Sequence, residues 1–285
     1  GQFNVALGYK ALDANTTASN NTAVGYESLV DNTTGAQNTA VGFRSLYNNT
    51  TASNNTAVGQ DALYTNTTGA NNVALGHSAL VYNTTGANNT AVGKSALVAN
   101  TTGTENVAMG ANALDANTEG NFNVALGNYA LTTDTKGGRN VAIGRSALTS
   151  QNFTSATDSY NTAVGYTAGA AVTTGVNNTF VGGLAGDALT VGNDNDAFGV
   201  SALTSDTKGS KSTAIGRGAL NAQNFTTATD AFNVAVGYIA GGAVSTGVQN
   251  TLIGGLAGDA ITTGQANTAL GYRSLSATTT ASSNT

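Results

Sequence analysis

The sequence has no cysteine, proline or tryptophan, one methionine and one histidine, and only 9% of its 285 residues are charged. Without cysteine there are no disulfides, no thiolate metal ligands and no cysteine nucleophile. Without proline every residue keeps its backbone N–H, as stacked strands require. Fifteen acidic against ten basic residues give a formal net charge of −5. The ten cations are scattered, which argues against nucleic acid as a partner because phosphate binding needs clustered Lys and Arg. No apolar run approaches the roughly 20 residues of a membrane span, so membrane insertion is not expected.

Catalytic residues are missing as well. His77 is the only imidazole, and it sits at a position where other repeats carry Tyr9, Tyr26, Phe43, Gln60 and Lys94. Acid–base catalysis by paired carboxylates needs two groups at a defined separation, whereas the acids here, such as Asp13, Asp115 and Glu119, are dispersed. The segment from Gly182 to Asp187 has a faint likeness to calcium-binding Gly-Gly-x-Gly-x-Asp repeats, but its spacing is wrong. No enzyme activity, cofactor or metal is expected.

What the chain has is repetition. The pattern Asn-x-Ala-apolar-Gly places glycines at Gly8, Gly25, Gly42, Gly59, Gly76, Gly93, Gly110, Gly127 and Gly144, each seventeen positions after the last. It continues at Gly165, Gly182, Gly199, Gly216, Gly237, Gly254 and Gly271, where the steps from Gly144 to Gly165 and from Gly216 to Gly237 are four positions longer. The longer steps carry the same insertion, Gln151-Asn152-Phe153-Thr154 and Gln223-Asn224-Phe225-Thr226. They belong to a super-repeat of four coils, seventy-two positions in all, that carries Gly182 onto Gly254 and Asp187 onto Asp259. The organisation is therefore a regular array over 1–144 continued over 145–285, one elongated domain. Position 1 falls mid-repeat and Asn284-Thr285 opens another unit, so the register predicts a longer array.

A unit of seventeen is too short for a helix pair and suits one coil of an all-β parallel solenoid. The pattern predicts a strand at Thr22-Ala23-Val24, a second extended piece at Ser28-Leu29, and a turn at Asn32-Thr33-Thr34-Gly35 where Asn and Gly accept positive φ. Stacking then aligns Asn15, Asn32, Asn49, Asn66, Asn83 and Asn100 into an amide ladder.

Neighbours on a strand face opposite sides. Alanine at one of two adjacent positions in coil after coil implies burial against something flat and close, which is read here as other copies of the chain. Ala23, Ala40, Ala57, Ala74, Ala91, Ala108, Ala125 and Ala142 are thus expected at a chain–chain interface. Val24, Val41, Val58, Leu75, Val92, Met109, Leu126 and Ile143 are expected in the coil core.

Tyr9, Tyr26, Tyr166, Tyr238 and Tyr272 follow the motif glycine and form an exposed column, a candidate glycan-stacking surface or a set of cross-coil aromatic contacts. Phe153 and Phe225 mark the inserted loops as further candidate surface contacts or as packing pads. In the altered coils the Leu four positions after the motif glycine becomes Gly169, Gly186, Gly241 or Gly258. An apolar residue appears three positions later, as Val172, Leu189, Val244 or Ile261, which implies a changed cross-section.

The quoted Asn-Thr-Ala-Val-Gly-x-x-Ala-Leu and Asn-Thr-Thr-Gly segments resemble the head repeats of YadA-type trimeric autotransporter adhesins and the tandem repeats of bacteriophage tail-fibre proteins. The resemblance covers essentially the whole chain. It implies a left-handed parallel β-roll with three chains about a common axis. The coil of seventeen departs from the adhesin coil, which is shorter by about three residues, and favours the fibre-like set.

The leading expectation is a structural and adhesive shaft of a trimeric extracellular or virion fibre, partnered by itself and by a cell-surface glycan or receptor. Sixteen coils about 4.8 Å apart would make a rod of roughly 75–80 Å. The alternative is an ice-binding solenoid that uses the column Thr16, Thr33, Thr50, Thr67, Thr84 and Thr101. That column is weakened by the adjacent Thr-Thr pairing, because consecutive residues point to opposite faces.

Overall fold

The computed structural model describes residues 1–285 and contains no helix. The chain is a parallel β-solenoid with one three-residue strand in each of sixteen coils. It divides into two compact units, residues 1–140 with 152–158 and residues 141–151 with 159–285. The first holds the eight strands from Val5–Leu7 to Val124–Leu126, the second the eight from Val141–Ile143 to Thr268–Leu270.

Strands pair in parallel with a strict register. Thr39, Ala40 and Val41 lie against Thr56, Ala57 and Val58 of the next coil. Bonding outside the strands runs both ways along the stack. In the coil of Gly42, the N–H groups of Gly42 and Arg44 donate back to the Val24 and Tyr26 carbonyls at 2.8 and 2.9 Å. Those of Thr39, Leu46 and Asn48 donate forward to Asn55, Ala62 and Tyr64 at 2.8, 2.9 and 3.0 Å. A proline at any of these positions would delete a bond between coils, which accounts for its absence.

The expected strand at Thr22–Val24 is present, but the extended piece expected at Ser28-Leu29 is a turn. Leu29 has φ +54°, and its equivalents, for example Leu46 at +51° and Leu63 at +51°, share the left-handed conformation. That conformation costs a leucine about 1–2 kcal/mol, and full burial of its side chain returns about 1.5–3 kcal/mol. Burial decides, and Leu29, Leu46 and Leu63 are wholly enclosed. The positive φ values expected at Asn32 and Gly35 fall instead at Gly25 (+137°), Glu27 (+51°), Leu29 and Gln37 (+60°).

The side assigned to the strand residues is also corrected. Ala23, Ala40, Ala57, Ala74, Ala91, Ala108, Ala125 and Ala142 have no exposed surface within the single chain, so they fill the coil interior and cannot line a contact with another chain. The row expected in the core points outward: Val58 is 38% and Met109 45% exposed, and Val24, Val41, Leu75, Val92, Leu126 and Ile143 are half-buried. The reason is volume. The interior must also hold a second alanine and the corner leucine, such as Ala62 and Leu63, which leaves room for only a methyl group at the strand centre.

Asparagine supplies the rest of the interior. Asn83 Nδ2 donates to Asn66 Oδ1 at 2.8 Å and to the Gly86 carbonyl at 2.9 Å, while its Oδ1 accepts from Asn100 Nδ2 at 2.7 Å. This is the amide ladder read from the repeat. A second ladder runs through Asn21, Asn38, Asn55, Asn72, Asn89, Asn106 and Asn123. There each backbone N–H donates to the preceding Oδ1, as Asn38 does to Asn21 at 2.9 Å, and each Nδ2 holds a carbonyl of the next coil, as Asn38 holds Ala52 at 2.8 Å. Buried amides satisfied in this way tie coil to coil with fixed geometry.

Asn83→Ala should cost about 2–3 kcal/mol, because it strands the Asn66 oxygen and an Asn100 N–H away from water, while the Gly86 carbonyl keeps its bond from Asn72 Nδ2 at 2.9 Å. Thr85→Ala, on the exposed side of the same turn, should shift stability by no more than about 0.5 kcal/mol. Urea unfolding of both variants checks this, and coincident midpoints would show that the ladder contributes nothing.

Candidate functional site

Two surfaces stand out once the interior is accounted for. The first is the outer face of the strands. Because the middle residue points inward, the first and third point outward together, as Thr22 with Val24 and Val107 with Met109. The third position is apolar in every strand of the sixteen-stranded sheet, and the first is Thr or Val in all but one, where Asp196 is the single charged residue of both columns. Each unit thus presents a flat, nearly uncharged strip, half-buried by its own neighbours.

The second surface is aromatic. Tyr9, Tyr26, Tyr166, Tyr238 and Tyr272 are exposed as the sequence implied. Tyr9, Tyr26 and Phe43 stack coil on coil with centroids 5.1 and 5.2 Å apart. Tyr9 and Tyr26 thus make the cross-coil aromatic contact that was the second expectation for this column. Arg145 and Arg217, one coil before Tyr166 and Tyr238, each place a guanidinium nitrogen 3.4 Å from the tyrosine hydroxyl.

A second stack, Tyr47 on Tyr64 at 5.0 Å, lies beside Arg44, whose guanidinium carbon is 4.6 Å from the Phe43 centroid and 5.1 Å from that of Tyr64. The Glu27 carboxylate raises the phenol pKa of both Tyr26 and Tyr47, with loss of solvent as a further contribution. The repeat did not reveal this second stack, because Tyr47 and Tyr64 occupy a position of mixed composition. The available signal was that they stand one full repeat apart.

Phe153 and Phe225 are not surface contacts. They are 7% and 5% exposed and pack beneath the insertions. The Phe153 N–H donates to Asp134 Oδ1 at 3.1 Å and its carbonyl accepts from Lys136 at 3.1 Å, after which Thr157–Asp158 pairs in parallel with Gly137–Gly138. The second insertion repeats the arrangement: Phe225 donates to Asp206 at 3.2 Å, Gln223 Nε2 reaches the other Asp206 oxygen at 2.6 Å, and Lys211 pairs with Asp230 at 2.6 Å. The insertions are packing pads laid over the coil, and their buried carboxylates occupy the ladder position that asparagine holds elsewhere.

Two other features acquire a structural role. The hydroxyls of Thr33, Thr67 and Thr84 donate to the carbonyls of Thr50, Thr84 and Thr101 in the next coil at 3.0 Å each, so this column is bonded into the stack. The asparagines of Asn32-Thr33-Thr34 and Asn66-Thr67-Thr68 are wholly buried, and their amides are not presented for glycosylation in the folded chain. No three His, Cys, Asp or Glu side chains gather as a metal site would require. Comparison with protein-family models and with curated proteins finds no match.

Proposed function

We propose that the chain is the repeat shaft of a homotrimeric extracellular or virion fibre, in which the outward strand strip of each copy meets that of its neighbours. The observation that carries this reading is the strip itself. It is apolar at every third strand position, broken by one charge, and repeats with the same period as any copy laid beside it. A flat apolar strip of this extent marks an interaction surface on a soluble protein, and identical coils allow a second and third copy to match it residue for residue. The resemblance to trimeric adhesin and tail-fibre repeats, with their left-handed roll, agrees with this reading. The work of such a shaft is mechanical: a stack of inter-coil hydrogen bonds holds a binding tip at a distance. Neither nucleic acid nor membrane enters this function.

The ice-binding alternative finds less support, because the threonine column on which it rested donates its hydroxyls to carbonyls of the next coil.

Light scattering with sedimentation tests the proposal. The expected particle contains three chains. Val92→Asp combined with Met109→Asp should reduce it to one chain, since each change buries a carboxylate in the contact. Thr68→Asp, exposed on another side of the coil, should leave the mass unchanged. A single-chain mass for the unaltered protein would sink the trimer and return the ice-binding reading to consideration, with thermal hysteresis as its test.

A further inference from the structure

In an array whose units repeat, residues that leave the repeat mark what a particular coil does beyond stacking. Among the residues five positions after the motif glycine, tyrosine occurs only as Tyr47 and Tyr64, and six positions after it only as Tyr82. These departures fall on adjacent coils and meet an ion pair. Arg44, Asp61, Tyr64, Ser78, Val81 and Tyr82 are among the residues lining an open trough of ≈ 400 Å³, within the range of about 300–1,000 Å³ typical of small-molecule sites.

The trough has a specific chemistry. Arg44 Nε lies 3.1 Å from Asp61 Oδ1, yet neither atom makes a hydrogen bond: the two charges touch off the bonding line. Both side chains keep solvent-facing surface, 35% for Arg44 and 16% for Asp61. Arg44 Nε and Asp61 Oδ1 are themselves enclosed and Asp61 Oδ2 accepts from Gln60 Nε2 at 3.2 Å, so the surface these side chains keep comes from the rest of the guanidinium and the carboxylate, a donor beside an acceptor on one wall. Next to them the Tyr47–Tyr64 stack ends, because the following residue in that column is Val81. Tyr64 thus has no ring beyond it, and Tyr82 is 57% exposed.

We propose that this trough binds a saccharide. A pair of neighbouring sugar hydroxyls both donates and accepts, so it can engage the guanidinium and the carboxylate together. A phosphate or carboxylate ligand only accepts and is repelled by Asp61; an ammonium only donates and is repelled by Arg44. The C–H face of a pyranose ring packs on the exposed ring of Tyr82 beside the half-buried ring of Tyr64, as an apolar face packs on an aromatic ring. None of the trough residues belongs to the outward strand strip, so the site stands whether or not the chain is a trimer.

Saturation-transfer NMR on the full chain, with neutral glucose-, galactose-, mannose- and N-acetylhexosamine-based sugars from mono- to hexasaccharide, tests it, with inorganic phosphate and tetramethylammonium as charged probes. At least one neutral sugar should bind with a roughly millimolar dissociation constant. Tyr64→Ala and Asp61→Asn should each weaken it about tenfold or more, and Tyr129→Ala, an exposed aromatic outside the trough, should leave it unchanged. Asp61→Asn preserves shape, so it decides the matter if Tyr64→Ala disturbs its coil. The proposal is overturned if no neutral sugar binds, if all three variants bind alike, or if phosphate or tetramethylammonium occupies the trough in place of sugar.

Discussion

Gly76→Ala is expected to destabilise the array by about 3–5 kcal/mol, a large effect for the addition of one methyl group. Two independent causes act at this position. The backbone has φ +138°, a region that L-residues adopt only with strain of about 1–3 kcal/mol. A β-carbon there would also lie 2.6 Å from the carbonyl oxygen of Gly93 and 2.7 Å from its carbonyl carbon. Those atoms belong to the next coil's backbone, which cannot yield without lengthening the bonds that join coil to coil. Gly93 in turn approaches Gly110 in the same way, so at the motif glycine successive coils lie too close for a side chain.

The internal control is Gly183→Ala. Its β-carbon would meet nothing nearer than 3.9 Å, and the change should stay within about 0.5 kcal/mol. Thermal and urea unfolding separate the two variants. Hydrogen exchange should place the loss in the coils flanking Gly76, because stability in a stacked array is a sum of neighbour terms. Equal stabilities for the two substitutions would mean that the close approach is not a constraint.

The period of the array was legible in the sequence, and with it the parallel stacking, the strand at Thr22–Val24 and the asparagine ladder through Asn32 and Asn49. Each of these is a consequence of register, which repetition exposes directly. Which way the strand faces was not legible. Alternation says that Ala23 and Val24 point to opposite sides, but the choice between them depends on the interior volume, and that depends on corner geometry. The corner is made by Leu29 in a left-handed conformation that propensity assigns to glycine or asparagine. It therefore reads as extended chain, which would make the coil wide enough for valine.

The second asparagine ladder was hidden for a different reason. Asn21 and Asn38 stand in plain view as the first residue of the repeated motif, but a buried asparagine is recognisable only when its partners, here the carbonyls of Gly35 and Ala52, are known to lie across a coil boundary. The Tyr64 trough lay outside the sequence reading because it is made from three columns that vary independently. Only the fold brings Arg44, Asp61 and Tyr82 to one place.

The altered coils allow the volume argument itself to be tested. At Phe180 the strand centre, alanine in most coils, becomes a wholly buried phenylalanine, and the corner leucines on either side become Gly169 and Gly186. A β-carbon on Gly169 would lie 2.8 Å from Phe180 Cδ2, and one on Gly186 would overlap the same ring. Leu252 stands in the same relation to Gly241 and Gly258. The volume of the two corners has therefore been redistributed, to the strand centre and to Val172 and Leu189, which are wholly buried three positions after the glycines.

Phe180→Ala alone should cost about 3–5 kcal/mol, since it leaves a cavity where the ring was and the two glycines cannot fill it. Gly186→Leu alone should cost about 1–3 kcal/mol by overpacking against the ring. If the exchange is one of volume, the two changes together should be less destabilising than their sum by about 1–3 kcal/mol, the range found for residues in direct contact. Adding Gly169→Leu to the pair should recover more, because the ring spans both corners. The left-handed backbone at Gly169 and Gly186, φ +59° and +56°, is the conformation that Leu29 and Leu46 already hold, so the new leucines meet no strain that the regular coils do not. Chemical unfolding of the three variants gives the coupling. Strict additivity would show that strand centre and corner do not share one volume, and the account of why alanine faces inward in the other coils would fail with it.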